Sequence, residues 1–387
     1  MGKARFGDVI ERIKNKVDRD SAGLEYYVGG EHIETDEVKI SQKGKIAGST
    51  IGPAFHMRFR KNDVLLMSRN PHLRKAAMVD FDGICSDVSY VCRPKDPTRL
   101  DPSYLPFIMR TDAFWKYAEE HKKGSTNFFL NWSDFVDYEF DLPPLARQLE
   151  LADLLWAAND LKEAYRKLIA ATDEMLKAKF REMFGESGVD DASRDGESQS
   201  KWPMRPLKDF GEIFTGNTPA MSNRSYYESN DICFVKPSDL SYDIADITSS
   251  EFYISKKAEQ VARMYNPGAV LVTCIGATIG KLGIAKIRGT CNQQINFIMP
   301  HIKQVESVYL AFAIQSIQPK LSRTSASTTV PILSKSEFSK LTIPLPPLSL
   351  QREFVTIAEK ADETKSSLKK SIADLDQVMK GLINESA

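Results

Sequence analysis

Two long segments of the chain repeat apolar residues at alternating steps of three and four, the spacing that lines one face of a helix. The second segment repeats the phase of the first 203 residues later. A seam sustained at this spacing predicts two long helices that pair with each other, because a helix this long is not needed for the core of one small domain. Two independent surface helices are the alternative. The predicted pairing seam consists of Leu154, Leu161, Leu168, Met175, Ile357, Leu368, Leu375 and Val378.

Each long helix follows the same short motif. Leu142-Pro-Pro-Leu145 runs into Gln148 and Glu150, and Leu345-Pro-Pro-Leu348 runs into Gln351 and Glu353. Further pairs occur in the same order upstream, with offsets of 201 to 207 residues, and they include Val28 with Val235, Leu66 with Leu271, Lys75 with Lys281 and Cys85 with Cys291. Insertions and deletions in loops produce such small drifts, so the chain is a tandem repeat.

The repeat predicts five segments and one fold class. Short strand-type runs outnumber helical runs in each globular half, which indicates an α/β (α+β, strand-rich) lobe. The polar, acidic stretch between the halves reads as a flexible linker that lets the second helix return antiparallel to the first. We therefore expect a pseudo-two-fold molecule with a first lobe at 1–141, a first helix at 142–184, a linker at 185–201, a second lobe at 202–342 and a second helix at 343–387.

Composition excludes several protein classes. Lys plus Arg and Asp plus Glu both total 52, so no global basic excess indicates nucleic acid, although residues 202–342 carry 15 basic and 11 acidic groups. No apolar run is long enough to span a bilayer and no signal segment is visible, so we expect a cytoplasmic protein without membrane contact. Five cysteines without a C-x-x-C pair are expected to be buried free thiols.

The motifs of common catalytic and metal sites are missing from the sequence. Gly276 to Lys281 resembles a phosphate-binding loop, but it has three residues between its glycines and Leu282 after the lysine, where a Walker loop has four residues and then Ser or Thr. The five histidines show no metal-binding spacing, and no nucleophile elbow occurs. We therefore predict neither a catalytic residue nor a metal ligand on this chain.

Basic clumps and hydroxyl- or amide-bearing loops are the remaining candidates for chemistry. Such side chains suit phosphates and base edges, although plain loop tips have the same composition. Strand-loop-strand placement predicts that the basic groups of each lobe form one surface. The predicted binding residues for phosphates and base edges are Arg58, Arg60, Lys61, Arg69, Arg74, Lys75, Lys123, Ser125, Asn127, Asn217, Thr218, Lys281, Lys286, Arg288, Arg323 and Ser325.

The doubled L-P-P-L-x-x-Q-x-E motif with its long helices resembles the DNA specificity subunit of Type I restriction-modification systems. The stretch from Leu207 to Pro219 is similar to the start of a target recognition domain in that family, and so is the stretch from Tyr27 to Ile33. The first lobe departs from the pattern in one turn, because Ile13 to Val17 replaces the G-x-T-P step of the second lobe.

The resemblance implies a function without catalysis. Each lobe would read one half of a bipartite double-stranded DNA target, and the paired helices would set the spacer and dock two DNA adenine methyltransferase subunits. Restriction and translocase subunits would join the complex. S-adenosylmethionine, ATP and magnesium would bind to those partners and not to this chain. A non-catalytic coiled-coil adaptor for proteins is the alternative, whereas the missing motifs disfavour a methyltransferase or nuclease in its own right.

Overall fold

A computed structural model describes residues 2–19, 21–185, 201–324 and 331–385. Residues 186–200 of the predicted linker lie outside the described residues. The chain forms two compact units, one made of Met1–Lys167 with Leu368–Ala387 and the other of Leu168–Ser367. Each unit thus contains strands from one half of the sequence and parts of both long helices.

Among the described residues the first unit contains ten strands, four short α-helices, the start of the first long helix and the end of the second. The strands are β1 (Gly2–Arg5), β2 (Ile10–Ile13), β3 (Tyr26–Val28), β4 (Gly44–Lys45), β5 (Phe55–Phe59), β6 (Val64–Met67), β7 (Ala76–Met78), β8 (Gly83–Ser86), β9 (Ser89–Pro94) and β10 (Glu139–Leu142). The helices are α1 (Phe6–Val9), α2 (Leu105–Ile108), α3 (Asp112–Glu120), α4 (Trp132–Val136) and α5 (Leu145–Phe184).

The second unit repeats this plan. Its strands are β11 (Met204–Pro206), β12 (Gly211–Thr215), β13 (Ile232–Val235), β14 (Ala245–Ile247), β15 (Tyr253–Ile254), β16 (Met264–Tyr265), β17 (Val270–Thr273), β18 (Leu282–Ala285), β19 (Gly289–Cys291), β20 (Ile295–Pro300) and β21 (Thr342–Pro344). Its helices are α6 (Ser307–Ser316), α7 (Gln318–Thr324), α8 (Lys335–Lys340) and α9 (Leu348–Glu385).

The sheet topology of the two units matches strand for strand. In the first unit one sheet has the order β2-β9-β6-β7 and the other has the order β4-β3-β8-β5. The corresponding orders in the second unit are β12-β20-β17-β18, extended by β14, and β15-β13-β19-β16. In the first unit β3 and β8 are parallel neighbours in an otherwise antiparallel sheet. In the second unit β13 and β19 are the equivalent parallel pair. The tandem repeat read from the sequence is therefore a repeat of strand order.

The glutamine of the doubled motif joins each lobe to its long helix. The buried Gln148 side chain accepts from the Asp101 backbone N–H at 2.9 Å and donates to the carbonyls of Arg99 and Pro143. Gln351 does the same 203 residues later, where it accepts from the Glu306 backbone N–H at 3.0 Å. A buried amide that satisfies both its donor and its acceptor fixes the local geometry, which explains why the motif needs glutamine.

The two long helices pair antiparallel within each unit. In the first unit Lys162 on α5 contacts Asp376 on α9 at 3.0 Å. In the second unit Asp173 on α5 contacts Lys365 on α9 at 2.8 Å, and the Phe180 ring lies 5.3 Å from the Phe354 ring. The two ion pairs are equivalent in the repeat, because residues 162 and 365, like residues 173 and 376, are separated by 203 positions.

The seam predicted on α5 is wrong by one residue. Leu154, Leu161, Leu168 and Met175 are 42–52% exposed. The buried residues follow them by one position, at Leu155 and Lys162 in the first unit and at Leu176 in the second. One residue turns a helix by about 100°, so the predicted row faces away from the partner helix.

The four residues predicted for the seam on α9 differ in their burial. Ile357 packs against the core of the second unit, and Leu368 and Leu375 are half-buried. Val378 is 58% exposed, whereas its neighbour Met379 is buried. The exposed Val378 thus does not lie in the buried row of α9, whereas the pairing role of Ile357, Leu368 and Leu375 stays a prediction.

Candidate nucleic-acid interface

Strand direction brings the polar loops of the second unit to one edge of its sheets. The C-terminal ends of β12, β13, β17 and β19 lie beside the N-terminal ends of β16, β18 and β20. We call the resulting edge the second loop surface, and it consists of Gly216–Pro219, Lys236–Asp239, Arg263, Cys274–Lys281 and Asn292–Gln294.

Amide and hydroxyl side chains form a bonded network on the second loop surface. The Asn217 amide donates to the Val261 carbonyl at 2.8 Å and accepts from the Arg263 backbone N–H at 2.7 Å. The Thr218 hydroxyl donates to the Gln293 amide oxygen at 2.7 Å. Gln293 is exposed, so its NH2 group faces solvent while its oxygen is held. An oriented amide of this kind can address a base edge.

Three cations of the second loop surface lack a carboxylate partner within the described residues. They are Lys236, Arg263 and Lys281. Lys236 lies 3.0 Å from the Phe252 ring centroid, and the Arg263 guanidinium donates to the Thr215 carbonyl at 2.6 Å. The nearby Asp239 carboxylate instead accepts from the Lys236 backbone N–H at 2.7 Å. The Asp239 carboxylate thus stabilises the turn by a hydrogen bond to the backbone. The net charge of the second loop surface is positive, because it has three cations and one carboxylate.

The equivalent edge of the first unit is less regular. We call it the first loop surface, and it consists of Lys16–Val17, Ser68–Lys75 and Lys123–Phe129. Lys16 and Arg69 are exposed and have no carboxylate partner among the residues that the structure describes. Main-chain bonds join Asn70 to Phe128 and Ser68 to Leu130, which places the two loops side by side.

The predicted residues Lys123, Ser125 and Asn127 all lie on the first loop surface and are exposed. Lys123 has a weak ion pair to Asp134, at 4.0 Å. On the second loop surface lie the predicted Asn217, Thr218 and Lys281.

Three predicted basic residues of the first unit lie away from this edge. Arg60 and Lys61 occupy the turn between the end of β5 and the start of β6, at the opposite edge of the sheets. Arg58 approaches Asp82 at 3.7 Å in the same region. The single DNA-facing surface predicted from the basic clumps is wrong here, because residues close in sequence lie at opposite ends of a strand.

The second unit requires the same correction. Lys286 and Arg288 lie in the turn between β18 and β19, at the opposite edge from Lys281. Lys286 pairs with Asp246 at 3.1 Å, and Arg288 pairs with Glu259. The side chain of Arg323 and all of Ser325 lie outside the described residues.

Arg74 and Lys75 lie in the first loop surface but are engaged within the protein. Arg74 contacts Asp36 at 2.8 Å and Asp112 at 3.0 Å. Lys75 donates to the Gly30 carbonyl at 2.6 Å. These contacts make Arg74 and Lys75 poorer phosphate ligands than the unpaired Arg69.

The sequence prediction missed Lys16, Lys236, Arg263 and Gln293. The repeat contained the signal for Lys236, because Val28 aligns with Val235 and marks the end of equivalent strands. It also contained the signal for Lys16, which follows β2 as Asn217 follows β12. Arg263 and Gln293 have no signal in the sequence alone, since only strand pairing brings them beside Asn217 and Thr218.

The cysteines match the expectation of buried free thiols. All five are buried and unpaired, and burial raises the pKa of Cys85 and of Cys274 to about 12. Within the described residues no cluster of His, Cys, Asp or Glu could hold a metal ion. No helix in that part of the chain is long and apolar enough to cross a membrane.

A protein-family model matches part of the chain. The profile of the Type I restriction modification DNA specificity domain matches residues 199–377. Residues 199–377 of the chain are therefore similar to this DNA specificity domain. The profile covers most of the second unit, and the first unit repeats the strand order of the second.

Individual specificity subunits resemble parts of the chain. The MjaIX specificity subunit of Methanocaldococcus jannaschii is 29% identical over 208 residues, which cover 53% of this chain and 46% of that protein. The HindI specificity subunit of Haemophilus influenzae is 29% identical over 190 residues, which cover 47% and 41%. The chain thus spans less than half the length of these two relatives.

A solved chain of a type I R-M system has the same fold as this chain. It covers 100% of this chain and 97% of its own length, with a TM-score of 0.61 and 20% sequence identity.

Proposed function

We propose that this chain is the DNA sequence-specificity subunit of a Type I restriction-modification complex. The observation that carries the proposal is that both units have the same strand order. In each unit the loops at one edge of the sheets form a loop surface. Each surface carries cations that have no carboxylate partner among the described residues. A protein with two such surfaces suits a target with two parts, and each lobe would read one half of it.

The two kinds of side chain on these surfaces would divide the work. Lys16, Arg69, Lys236 and Arg263 would contact phosphates, which supplies affinity without sequence information. The oriented amide of Gln293 would address a base edge in the major groove, where donors and acceptors distinguish the four base pairs. The bonds of Asn217 and Thr218 support this role because they fix the approach of the second loop surface.

The exposed leucines of α5 support docking of a methyltransferase subunit. Leu154 and Leu161 lie seven residues apart on one face of the helix in the first unit and are 52% and 42% exposed. A row of exposed large apolar side chains is unusual unless a partner covers it. Leu168 and Met175 continue the spacing in the second unit. Two methyltransferase subunits would bind, one for each half of the repeat.

In this proposal the paired helices would set the distance between the half-sites. α5 has 40 residues and α9 has 38, which gives helices of about 60 Å at about 1.5 Å per residue. Adenine methylation and DNA cleavage would belong to the partner subunits. S-adenosylmethionine, ATP and magnesium would bind to those partners, and this chain would contribute recognition without catalysis.

DNA binding by the assembled complex tests the proposal. The chain is purified with its methyltransferase subunits. The affinity of this complex for DNA duplexes that contain or lack the sequence which the complex methylates is measured at several salt concentrations. We expect sequence-selective binding that weakens steeply with salt, because phosphate contacts release counterions. Binding that is independent of sequence and salt would contradict the proposal and favour the coiled-coil protein adaptor.

A further inference from the structure

The turn after β6 in the first unit corresponds to the turn after β17 in the second unit. Both turns have positive φ at the same two positions, but different residues occupy these positions. In the second unit Gly276 and Gly280 have φ of 85° and 91°. At the equivalent positions of the first unit, Asn70 and Arg74 have φ of 52° and 49°. Positive φ costs an ordinary residue roughly 1 kcal/mol, whereas glycine adopts it freely. Arg74 therefore occupies a position where the repeat itself shows that glycine suffices.

The contacts of the Arg74 side chain explain why an arginine occupies this position despite its positive φ. Its guanidinium lies 2.8 Å from Asp36 Oδ1 and donates to Asp112 Oδ1 at 3.0 Å and to the Arg110 carbonyl at 3.2 Å. Asp36 itself has φ of 59°, and its backbone N–H donates to the Arg74 carbonyl at 3.3 Å. Two strained residues thus hold each other.

One branch of this network leads from Arg74 to α9. The second oxygen of Asp112 lies 3.1 Å from Lys380 Nζ. The Asp112 backbone N–H donates to the Asn384 side chain at 2.9 Å. Arg74 holds Oδ1 of Asp112, which leaves Oδ2 facing Lys380. Burial raises the pKa of Asp112, but the hydrogen bonds and charges of Lys380 and Arg74 outweigh it and lower the pKa overall.

The other branch leads to α5. Glu37 follows Asp36 directly and contacts Lys162 at 3.1 Å and Arg166 at 2.6 Å. A small cavity of about 280 Å³ lies between the branches, lined by residues that include Arg74, Arg110, Asp376 and Lys380. Arg74 is thereby connected to both long helices within the first unit, through Asp112 at the start of α3 and through the loop that contains Asp36 and Glu37.

We propose that Arg74 is a positioning residue that fixes the first recognition lobe on the helix pair, and that it thereby narrows the range of spacer lengths which the complex accepts. This inference rests on the proposed function. Arg74 does not need to touch DNA for this role. Its strained backbone and its engaged guanidinium both follow from the same demand, which is a rigid link between the first loop surface and the helices.

Substitution by the residue of the other lobe separates this role from that of a simple turn. The variant Arg74→Gly relieves the positive φ and removes the charge network. Each variant is expressed with the methyltransferase subunits, and methylated adenines are mapped across a genome. We expect Arg74→Gly to keep both half-site sequences but to raise methylation at sites with spacers one base pair longer or shorter by about tenfold, which corresponds to about 1.4 kcal/mol.

Two further variants complete the experiment. Lys380→Met changes an exposed residue of α9 that lies outside the turn, so it should relax the spacer in the same direction even if Arg74→Gly folds poorly. Arg69→Ala is the matched control from the same loop and should lower methylation at all sites without changing the spacer. Unchanged spacer preference in both Arg74→Gly and Lys380→Met would overturn the inference. Absence of any bipartite motif with the natural chain would instead overturn the proposed function.

Discussion

Lys162 offers a quantitative test of how the helix pair is held. Its side chain is only 1% exposed, and its ammonium lies 3.1 Å from Glu37 and 3.0 Å from Asp376. Lys162→Met keeps the chain length but leaves both carboxylates without this partner. Breaking a fully buried ion pair costs about 3–5 kcal/mol. Asp376 is 46% exposed and Glu37 keeps Arg166, so we expect about 2 kcal/mol here.

Hydrogen exchange measures this local loss directly. A destabilisation of about 2 kcal/mol accelerates exchange through local opening by about 30-fold in peptides that cover residues 155–167. Lys167→Met is the matched control on the same helix, since Lys167 is exposed, and it should leave exchange nearly unchanged. Exchange in Lys162→Met within about threefold of the natural chain would refute the reasoning, because that factor is near 0.6 kcal/mol.

The same contact predicts a dependence on pH. Burial raises the pKa of Glu37, but Arg166 and Lys162 outweigh it and lower the pKa below its ordinary value. A carboxyl with a lowered folded-state pKa contributes fully above its unfolded pKa of about 4.3, and the contribution is lost as pH falls through the folded value. The difference between Lys162→Met and the natural chain should therefore be constant near pH 7 and shrink below about pH 4.

Three further predictions concern the binding surfaces. Gln293→Ala should relax specificity at one position of one half-site and cost about 1–3 kcal/mol there, measured by binding to a set of single-base variants. Lys16→Ala should weaken binding to all sequences and lower the salt slope by about one, whereas Lys61→Ala at the opposite edge should change neither, and equal effects would contradict the assigned surface. Leu161→Ser should leave helicity intact but weaken association with the methyltransferase subunit at least tenfold in a pull-down titration, with Lys167→Ser as the control that leaves association unchanged.

The repeat and the long helices could be predicted from the sequence because both depend on regular spacing. The seam on α5 could not, because its buried row includes Gln148, Asn159 and Lys162. A hydrophobicity pattern passes over such residues and selects the neighbouring row of Leu154 and Leu161. Gln148 and Lys162 are buried together with hydrogen bonds and ion pairs to distant segments, which spacing along one helix does not encode.

The candidate interface could be predicted in part. Loops that contain Asn217, Thr218 and Lys281 follow strand ends recognisable from composition and alignment of the repeat. The grouping of Arg60 and Lys61 with the recognition loops failed, because a strand of four or five residues separates its two ends by about 13–17 Å. Basic residues that are close in sequence therefore lie far apart in space when a β-strand separates them.

Exchange of one lobe tests the central claim most directly. Residues 1–141 are replaced by the matching lobe of another specificity subunit, and the methylated adenines of cells carrying the hybrid and its methyltransferase are mapped. We predict a bipartite motif in which one half-site takes the sequence of the donor, while the other half-site stays as in the natural chain. A change in both half-sites, or in neither, would contradict the account that each lobe reads one part of the target.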